Sequence, residues 1–252
     1  MINYIDKYKN IIINRKSDKL NSNMTTLDII SEVKQNKYYK IKPNELLELN
    51  DNIEYKHIHP IQSIPQVLEI LNNWNKDLDI DTNTSNILGK SGILLIDNLY
   101  LNNNNILRIP VGNINDINFY GCELYKYNDI IKFDIDCDLP VSIVEIGENY
   151  IEDYIMKIAG GIYLEYHDRP HFHMPLNNES DGYLIIGKCN VDKIMLSAFK
   201  IPLGYGVKIP NNVIHNDCFL IGKYLVIYSK TENYSTVLLK NNDNKVVQVI
   251  IE

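Results

Sequence analysis

The amino-acid sequence predicts a mainly β protein with an N-terminal α-helical extension. From about residue 92 onward, short apolar or alternating runs are separated by turns that contain Asn, Asp, Gly and Pro, a pattern typical of antiparallel sheets. Before that point, apolar residues recur at helical spacing. A chain of 252 residues is long enough for a core domain with an extension. We therefore expect residues 1–87 to form a helical and irregular extension and residues 88–252 to form the β domain.

Three helices are expected in the extension. Apolar residues at helical spacing predict the first helix within residues 2–12 and a second one that carries Leu27, Ile30 and Val33 on one face. The third helix, within residues 63–74, has a defined start because its first four residues match a capping box. We expect this third helix to pack on a sheet.

Around ten strands are expected in the β domain, enough for a double-sheet jelly roll. Residues 150–158 have helical spacing and end at a pair of glycines, so one helix is expected to interrupt the strands, with a strand as the alternative. The predicted strands are 92–97, 106–110, 130–135, 141–146, 161–167, 183–188, 194–201, 205–209, 220–229, 235–240 and 246–251.

Composition excludes several classes of function. The formal net charge of −7 argues against a general nucleic-acid-binding protein, which would carry a basic patch. Four widely spaced cysteines without a CxxC pair indicate free thiols in a reducing compartment. The N-terminus lacks the apolar core of a signal peptide, and no run approaches the roughly 20 apolar residues of a membrane span. We expect a cytoplasmic protein without nucleic-acid or membrane partners, and a homodimer formed through exposed strand edges is compatible with this fold.

Four of the six histidines lie within residues 163–216. Residues two apart on a strand share a face, so His171 and His173 can direct both imidazoles at one point. His215, arriving on another strand, could close a metal site. Neutral imidazoles that leave coordination positions open suit a divalent transition metal such as Fe, Mn, Zn or Ni.

The segment that delivers His215 resembles the second motif of the cupin superfamily, G-x5-P-x-G-x2-H-x3-N. Gly204, Pro210 and His215 match this motif, Asn212 stands at its second Gly, and Phe219 stands at its final Asn. Asn adopts left-handed turn conformations more readily than other non-glycine residues, so the first replacement is mild. The motif forms a tight turn that ends one strand and places the histidine in the mouth of a barrel.

The first cupin motif, G-x5-H-x-H-x3–4-E-x6-G, is similar to the segment around His171 and His173. Glu165 stands at the expected Gly, and Glu179 lies one or two residues beyond the position of the family's Glu ligand. The resemblance implies a jelly-roll barrel with a metal held by His171, His173, His215 and Glu179. Three histidines alone, as in the thiol-dioxygenase branch of the superfamily, remain an alternative.

Further residues could support chemistry at this site. His167 shares strand parity with the two histidines that follow it and is a candidate general base, as is Glu179. Arg169 could hold an anionic group of a substrate, although a surface ion pair is an equal alternative. The candidate substrate-binding residues are Tyr163, Glu165, Arg169 and Tyr224. For the tyrosines, packing in the core is the alternative. His57 and His59 form the only other HxH pair, for which a loop or edge strand is favoured over a metal site.

The resemblance implies a metal-dependent enzyme that acts on a small polar metabolite as its small-molecule substrate. Sugar and sugar-phosphate isomerases and epimerases are the cupins most similar in layout. A dioxygenase with a three-histidine iron site and a non-enzymatic binding or structural protein remain alternatives. The abundance of Asn, Ile, Lys, Asp and Tyr resembles what AT-rich genomes encode, such as those of giant DNA viruses, and a viral chain would act in the host cytoplasm or the virion.

Overall fold

The computed structural model of the protein describes residues 4–49, 63–80 and 91–252. Strands outweigh helices, 49% against 9%, and the sheets curl into a half-barrel, so the prediction of a mainly β protein is confirmed. None of the helices in these three ranges is long and apolar enough to cross a membrane. The predicted boundary between residues 87 and 88, and the pair His57 and His59, lie outside the described residues.

Most of the described chain is organised in strands. In chain order they are β1 (Asn14–Arg15), β2 (Met24–Val33), β3 (Tyr38–Lys42), β4 (Glu45–Leu49), β5 (Leu68–Leu71), β6 (Trp74–Ile80), β7 (Ser91–Ile96), β8 (Ile106–Ile109), β9 (Glu123–Lys126), β10 (Ile130–Lys132), β11 (Leu139–Ile146), β12 (Tyr163–His167), β13 (His171–Pro175), β14 (Asp181–Gly182), β15 (Leu184–Cys189), β16 (Lys193–Phe199), β17 (Tyr205–Ile209), β18 (Ile214–Asn216), β19 (Leu220–Ile227), β20 (Tyr234–Asn241) and β21 (Gln248–Ile251). The helices are α1 (Tyr4–Lys7), two 3-10 helices (Asn98–Tyr100 and Ile114–Tyr120) and a π-helix (Tyr150–Ile155).

Two large sheets face each other. The first has the strand order β1-β2-β11-β19-β13-β17-β9, with β14 also paired to β19, and the second has the order β5-β16-β15-β18-β12-β20-β7-β6. Neighbouring strands in both sheets are antiparallel except β7 and β20. Two small sheets, β10-β3-β4 and β8-β21, complete the fold. Because β11, β12 and β13 alternate between the large sheets, strands that follow each other in sequence contribute to opposite walls of the core.

The apolar core lies on both faces of the first sheet. Leu164 and Leu184 from the second sheet pack with Val226 from the first in the larger cluster, between the sheets. Phe172 and Leu225 belong to a second cluster that includes residues of the small sheet β10-β3-β4. Side chains alternate along a strand, so residues of β13 are buried on both faces.

The prediction of a helical extension is wrong. The segment predicted as the second helix forms β2, which pairs with β11. Two register shifts in this pairing leave Leu27 and Ile30 without partners on β11, as β-bulges do. The bulges interrupt the alternation along β2, and the three apolar residues do not share one face, since Leu27 is exposed and Val33 is buried. The β-branched residues of β2 favour the strand.

The first predicted helix is shortened, and the third is replaced by a strand. In the described part of the first segment, Tyr4–Lys7 is helical, residues 8–11 form turns, and the chain then reaches β1. Within residues 63–74, β5 pairs with the edge strand β16. The hydroxyl of Ser63 donates to Asp116 and therefore caps no helix. Pairing with an existing sheet edge satisfies the backbone groups that a helix would have satisfied internally.

The strands predicted for the β domain agree with the structure. Each of the eleven predicted strands overlaps an observed one, and residues 205–209 coincide with β17. The helix expected near residue 150 is confirmed as the π-helix Tyr150–Ile155. The strands β9, β13, β14 and β18 are not among the eleven, although the pattern at His171 and His173 predicts a strand there. Each contains five residues or fewer, too few to repeat the alternation of a strand several times.

Candidate metal centre

Three strands from both large sheets position a group of buried histidines. His167 is the last residue of β12 in the second sheet, and His171 is the first residue of β13 in the first sheet. The three intervening residues carry the chain from one sheet to the other. His215 lies on β18, beside β12, where its Cα is paired with that of Glu165.

These histidines converge. His167, His171 and His215 each offer one ring nitrogen, and these atoms all lie within 4.8 Å of one another. The ring centroids are 4.2 Å apart for His167 and His171, and 4.9 Å apart for His171 and His215. All three side chains are buried. The cluster could hold a metal ion.

The turn before β18 places His215 as the sequence predicts. Asn212 has a φ of 62° and Gly204 a φ of 89°, both in the left-handed region. The amide of Asn212 donates to the carbonyl of His167 at 2.7 Å. The turn is thus fixed to the end of β12, so two ligand candidates far apart in sequence share one support.

Hydrogen bonding leaves several ring nitrogens free for a ligand. Nδ1–H of His215 donates to the carbonyl of Val213 at 2.9 Å, so its Nε2 carries a lone pair. Within the described part of the chain, Nε2 of His215, Nδ1 of His171 and both nitrogens of His167 lack hydrogen-bond partners. Buried polar atoms without partners are rare and costly. A metal bound to these nitrogens would satisfy them, and the carbonyl that orients His215 is typical of metal-ligating histidines.

The environment keeps the three imidazoles neutral. Burial lowers the pKa of His167 to about 4. Burial and the nearby His167 lower the pKa of His215 to about 3. Burial and the neighbouring histidines hold the pKa of His171 well below its ordinary value. Metal ions bind the neutral ring, so the cluster is in its ligating form at neutral pH. Two bonds of about 2.1 Å span at most roughly 4.2 Å, so small side-chain rotations would draw the nitrogens onto one ion.

A carboxyl group stands next to the cluster. Oε1 of Glu165 lies 3.5 Å from Nε2 of His215, longer than a well-formed hydrogen bond. Burial and the charge of Asp217 raise the pKa of Glu165 to about 8, although Arg15 and Thr236 act in the opposite direction. In the metal-free protein, the Glu165 carboxyl therefore keeps its proton to higher pH than an exposed glutamate does.

Asp217 organises a second set of polar groups. Its carboxylate lies 3.4 Å from Nε2 of His173 and accepts hydrogen bonds from the hydroxyls of Tyr163, at 3.2 Å, and Tyr228. Burial acts to raise the pKa of Asp217, but His173, the hydrogen bond from Tyr228 and the charge of Arg15 hold it below its usual range. His173 is thus engaged with Asp217, and its ring centroid lies 6.0 Å from that of His171.

The structure brings together some of the predicted site residues and separates others. His171 and His215 lie in the cluster, joined by His167, which the sequence suggested as a base. Neither His173 nor Glu179 belongs to the cluster within the described residues. Glu179 is exposed on the loop after β13, because residues 177–180 form a turn in which the Asn177 side chain accepts from its amide.

The predicted substrate-binding residues also divide. Tyr163 and Glu165 line a cavity next to the cluster. Tyr224 packs in the core, where its hydroxyl donates to the carbonyl of Asp181 at 2.8 Å. Arg169 forms an ion pair with Asp136. Tyr224 is therefore a core residue and Arg169 a member of an ion pair, which are the alternatives that the sequence offered for them.

The cavity has a volume of about 320 Å³. Its lining has two parts: one carries Glu165, His171, Asp217 and Tyr228, and the other is a wall formed by Asn10–Arg15 and Met24. The segment before β1 therefore lines the same cavity as His171. This wall is held by reciprocal hydrogen bonds between Ile13 and Thr26 at 2.9 and 3.0 Å.

Sequence reasoning missed Asp217 and Arg15. A sequence signal exists for Asp217, because it follows His215 by two residues in the H-x-D spacing that brings an imidazole and a carboxylate to one site. For Arg15 the signal is weak. It is one of only three arginines in a lysine-rich chain, and its burial depends on the pairing of β1 with β2.

Comparisons with known proteins yield no match: neither a protein-family model, nor a curated protein, nor a solved structure shows significant similarity to this chain.

Proposed function

We propose that the protein is a metal-dependent enzyme that acts on a small polar metabolite, with His167, His171 and His215 as the metal ligands. One observation carries the proposal. Three buried imidazoles, neutral and with unpaired ring nitrogens, converge beside a cavity of about 320 Å³. Structural zinc sites normally use four protein ligands, whereas three leave a position for substrate.

The strand order supports a jelly-roll barrel of the cupin type. In an eight-stranded jelly roll, one sheet has the order first, eighth, third, sixth and the other has the order second, seventh, fourth, fifth. The central strands β11-β19-β13-β17 and β12-β18-β15-β16 follow these orders when β14 is treated as part of a connection. The histidines then lie between the two sheets of the barrel.

Proton transfer next to a carbonyl is the reaction that the site favours. A bound divalent metal supplies Lewis acidity to a carbonyl or hydroxyl oxygen. Glu165 would take or return the proton, since its carboxyl lines the cavity and lies 3.5 Å from Nε2 of His215. The hydroxyl of Thr236 lies 3.5 Å from the other oxygen of this carboxyl and limits its orientation. Such chemistry corresponds to isomerisation or epimerisation of a hydroxy-carbonyl compound.

A three-histidine iron dioxygenase is the second candidate. It is favoured by the exposure of Glu179, which leaves three histidines without the carboxylate of the common cupin ligand set. Oxygen consumption by the iron-loaded protein distinguishes the two reactions. The isomerase instead exchanges substrate hydrogen with solvent deuterium, and the exchange requires Glu165.

The metal content of the purified protein tests the proposal. We expect close to one transition-metal ion per chain by mass spectrometry of the digested protein, and a large loss of metal in His167→Ala and His215→Ala. Glu179→Gln is the matched control, because this exposed carboxylate should not affect metal content. His173→Ala separates the two ligand sets and should retain the metal.

Two results would contradict the proposal. A wild-type protein that takes up no metal after incubation with Fe(II), Mn(II), Zn(II) or Ni(II) would exclude it. Unchanged metal content in folded His167→Ala and His215→Ala, checked by circular dichroism, would show that bound metal sits elsewhere. Loss of metal in Glu179→Gln would instead indicate that Glu179 is a fourth metal ligand.

A further inference from the structure

Arg15 is a buried cation that lines the cavity. It is the second residue of β1, pairs with Met24 of β2, and is 6% exposed. His171 and Glu165 line the same cavity. The guanidinium thus reaches the space beside the proposed metal centre.

The guanidinium has too few partners for its burial. One nitrogen, Nη1, donates to the hydroxyl of Tyr150 at 2.7 Å and contacts the sulfur of Met24 at 3.7 Å. Its Cζ lies 6.0 Å from the ring centroid of Tyr163. Nε has no hydrogen-bond partner, and within residues 4–49, 63–80 and 91–252 no carboxylate oxygen lies within 4.0 Å of the guanidinium. Buried charges are normally paired, and Asp217, whose pKa the charge of Arg15 lowers, lies beyond ion-pair distance, so this arrangement leaves a place for an anion in contact with the guanidinium.

We propose that Arg15 binds the carboxylate of a small organic acid in this cavity. A guanidinium offers paired N–H donors in one plane, the geometry that a planar carboxylate accepts. Binding of the acid at Arg15 requires only the cavity and the guanidinium, and not a metal. Its identification as the substrate rests on the proposed function, since it requires that the other end of the molecule reach the histidine cluster.

The cavity favours a monocarboxylate over a phosphate. The carboxylate of Asp217 lines the same space as Arg15, so a second negative charge on the ligand would be repelled. Ile11, Ile13 and Met24 provide apolar surface for a short hydrocarbon part. Tyr228 and Glu165 provide polar groups on the side of the histidines. These features together suit a small hydroxy or oxo acid.

Nitrogen-15 NMR of the full-length protein tests the proposal directly. The chain has three arginines, so few Nε–H resonances are expected, and Arg15→Lys identifies that of Arg15. The probes are acetate, glycolate, acetamide and inorganic phosphate. We expect acetate and glycolate to shift the Arg15 Nε–H resonance in a saturable manner, whereas acetamide, which lacks the charge, leaves it unchanged.

Variants give the second measurement. Arg15→Met removes the charge and both donors while keeping a long side chain, and should weaken glycolate binding by about 10- to 100-fold, as expected for a charge-assisted hydrogen bond. Arg15→Lys should weaken it less. Arg169→Met is the matched control, because Arg169 lies in an ion pair with Asp136, and it should bind as the wild type does.

The outcomes separate this inference from the proposed function. No shift of Arg15 Nε–H with acetate or glycolate overturns the inference, as does a folded Arg15→Met that binds as the wild type does. An equal or larger shift with phosphate overturns the preference for a monocarboxylate. Each titration is run on metal-free and zinc-loaded protein. If the Arg15 resonance shifts but the protein binds no metal, the carboxylate site stands and the proposed enzyme is excluded. If the protein binds metal but the resonance does not shift, the proposed enzyme stands and the carboxylate site is excluded.

Discussion

The two walls of the cavity are built in different ways. The histidine wall consists of β12, β13 and β18, and both edges of β12 and β13 are paired with other strands. The arginine wall consists of β1, a two-residue strand paired only with β2, and the irregular segment before it. Local opening costs least where few contacts and hydrogen bonds must be broken. We therefore expect the histidine wall to be the more rigid of the two and the arginine wall to open more easily.

The largest expected effect comes from breaking the histidine wall at its core. Phe172 is fully buried on β13 between His171 and His173, and its ring packs edge-on against Phe133 at 5.9 Å. Phe172→Ala should lower the free energy of unfolding by about 3–5 kcal/mol and reduce metal content. Urea denaturation and metal analysis measure the two effects.

The matched change on the arginine wall is Met24→Ala. Met24 is equally buried, touches Arg15, and lines the cavity. We expect a loss toward the lower end of about 2–5 kcal/mol, with metal content retained and glycolate binding weakened. If Met24→Ala lost its metal as Phe172→Ala does, the two walls would be one cooperative unit and the comparison would fail.

Removal of a metal bound at the histidine wall should lower the stability of the folded protein. A ligand that binds the folded state alone stabilises it by about 2.7 kcal/mol at a free concentration one hundred times its dissociation constant. For a chain of this size, that corresponds to a fall in melting temperature of roughly 5–11 °C when a chelator is added.

Two variants sharpen this measurement. His215→Ala should show no response to the chelator, whereas Glu179→Gln should respond as the wild type does. A chelator response in His215→Ala equal to that of the wild type would mean that the stabilising ion does not bind at the cluster.

The two walls also differ in how much of them the sequence predicts. The histidine wall follows from short-range rules: strand parity pairs His171 with His173 and His167, and the turn motif delivers His215. Parity does not say which of these side chains meet. Asp217 draws His173 away, and the four-residue turn at 177–180 leaves Glu179 in solvent.

The arginine wall could not be predicted because it depends on long-range pairing. Arg15 reaches the cavity only since β2 pairs with β11, more than 100 residues away in sequence. The two bulges interrupt the alternation of β2, so the period-two signal that identifies a regular strand is absent there. Local periodicity describes an element only when its register is regular.

The pH dependence of stability should expose Glu165 on the histidine wall. In metal-free protein, Glu165 has a pKa of about 8, above its ordinary 4.5, so between these values the unfolded chain loses a proton that the folded state keeps. Wild-type stability should therefore fall, relative to Glu165→Gln, as pH rises from about 4.5 to 8, by at most about 1.4 kcal/mol per pH unit.

The histidines change the pH dependence of stability in the opposite direction. The pKa of His167, about 4, lies below its ordinary 6.5, so the unfolded chain takes up protons first and stability falls as pH drops through this window. Glu165→Gln should then show a rise to about pH 6.5 followed by a plateau, whereas the wild type passes through a maximum. Urea denaturation at several pH values measures both curves, and parallel curves would show that Glu165 is not held in its protonated form.

The smallest expected effect lies at the turn that supports the histidine wall. Asn212 has a φ of 62°, which costs about 1–2 kcal/mol for most side chains and little for Asn or Gly. Asn212→Ala should therefore lower the free energy of unfolding by about 1 kcal/mol, while Asn212→Gly should change it little. Both variants keep the backbone amide that donates to His167, so metal content should stay unchanged. An equal loss of stability in the two variants would mean that the asparagine side chain, and not its backbone conformation, holds the turn against β12.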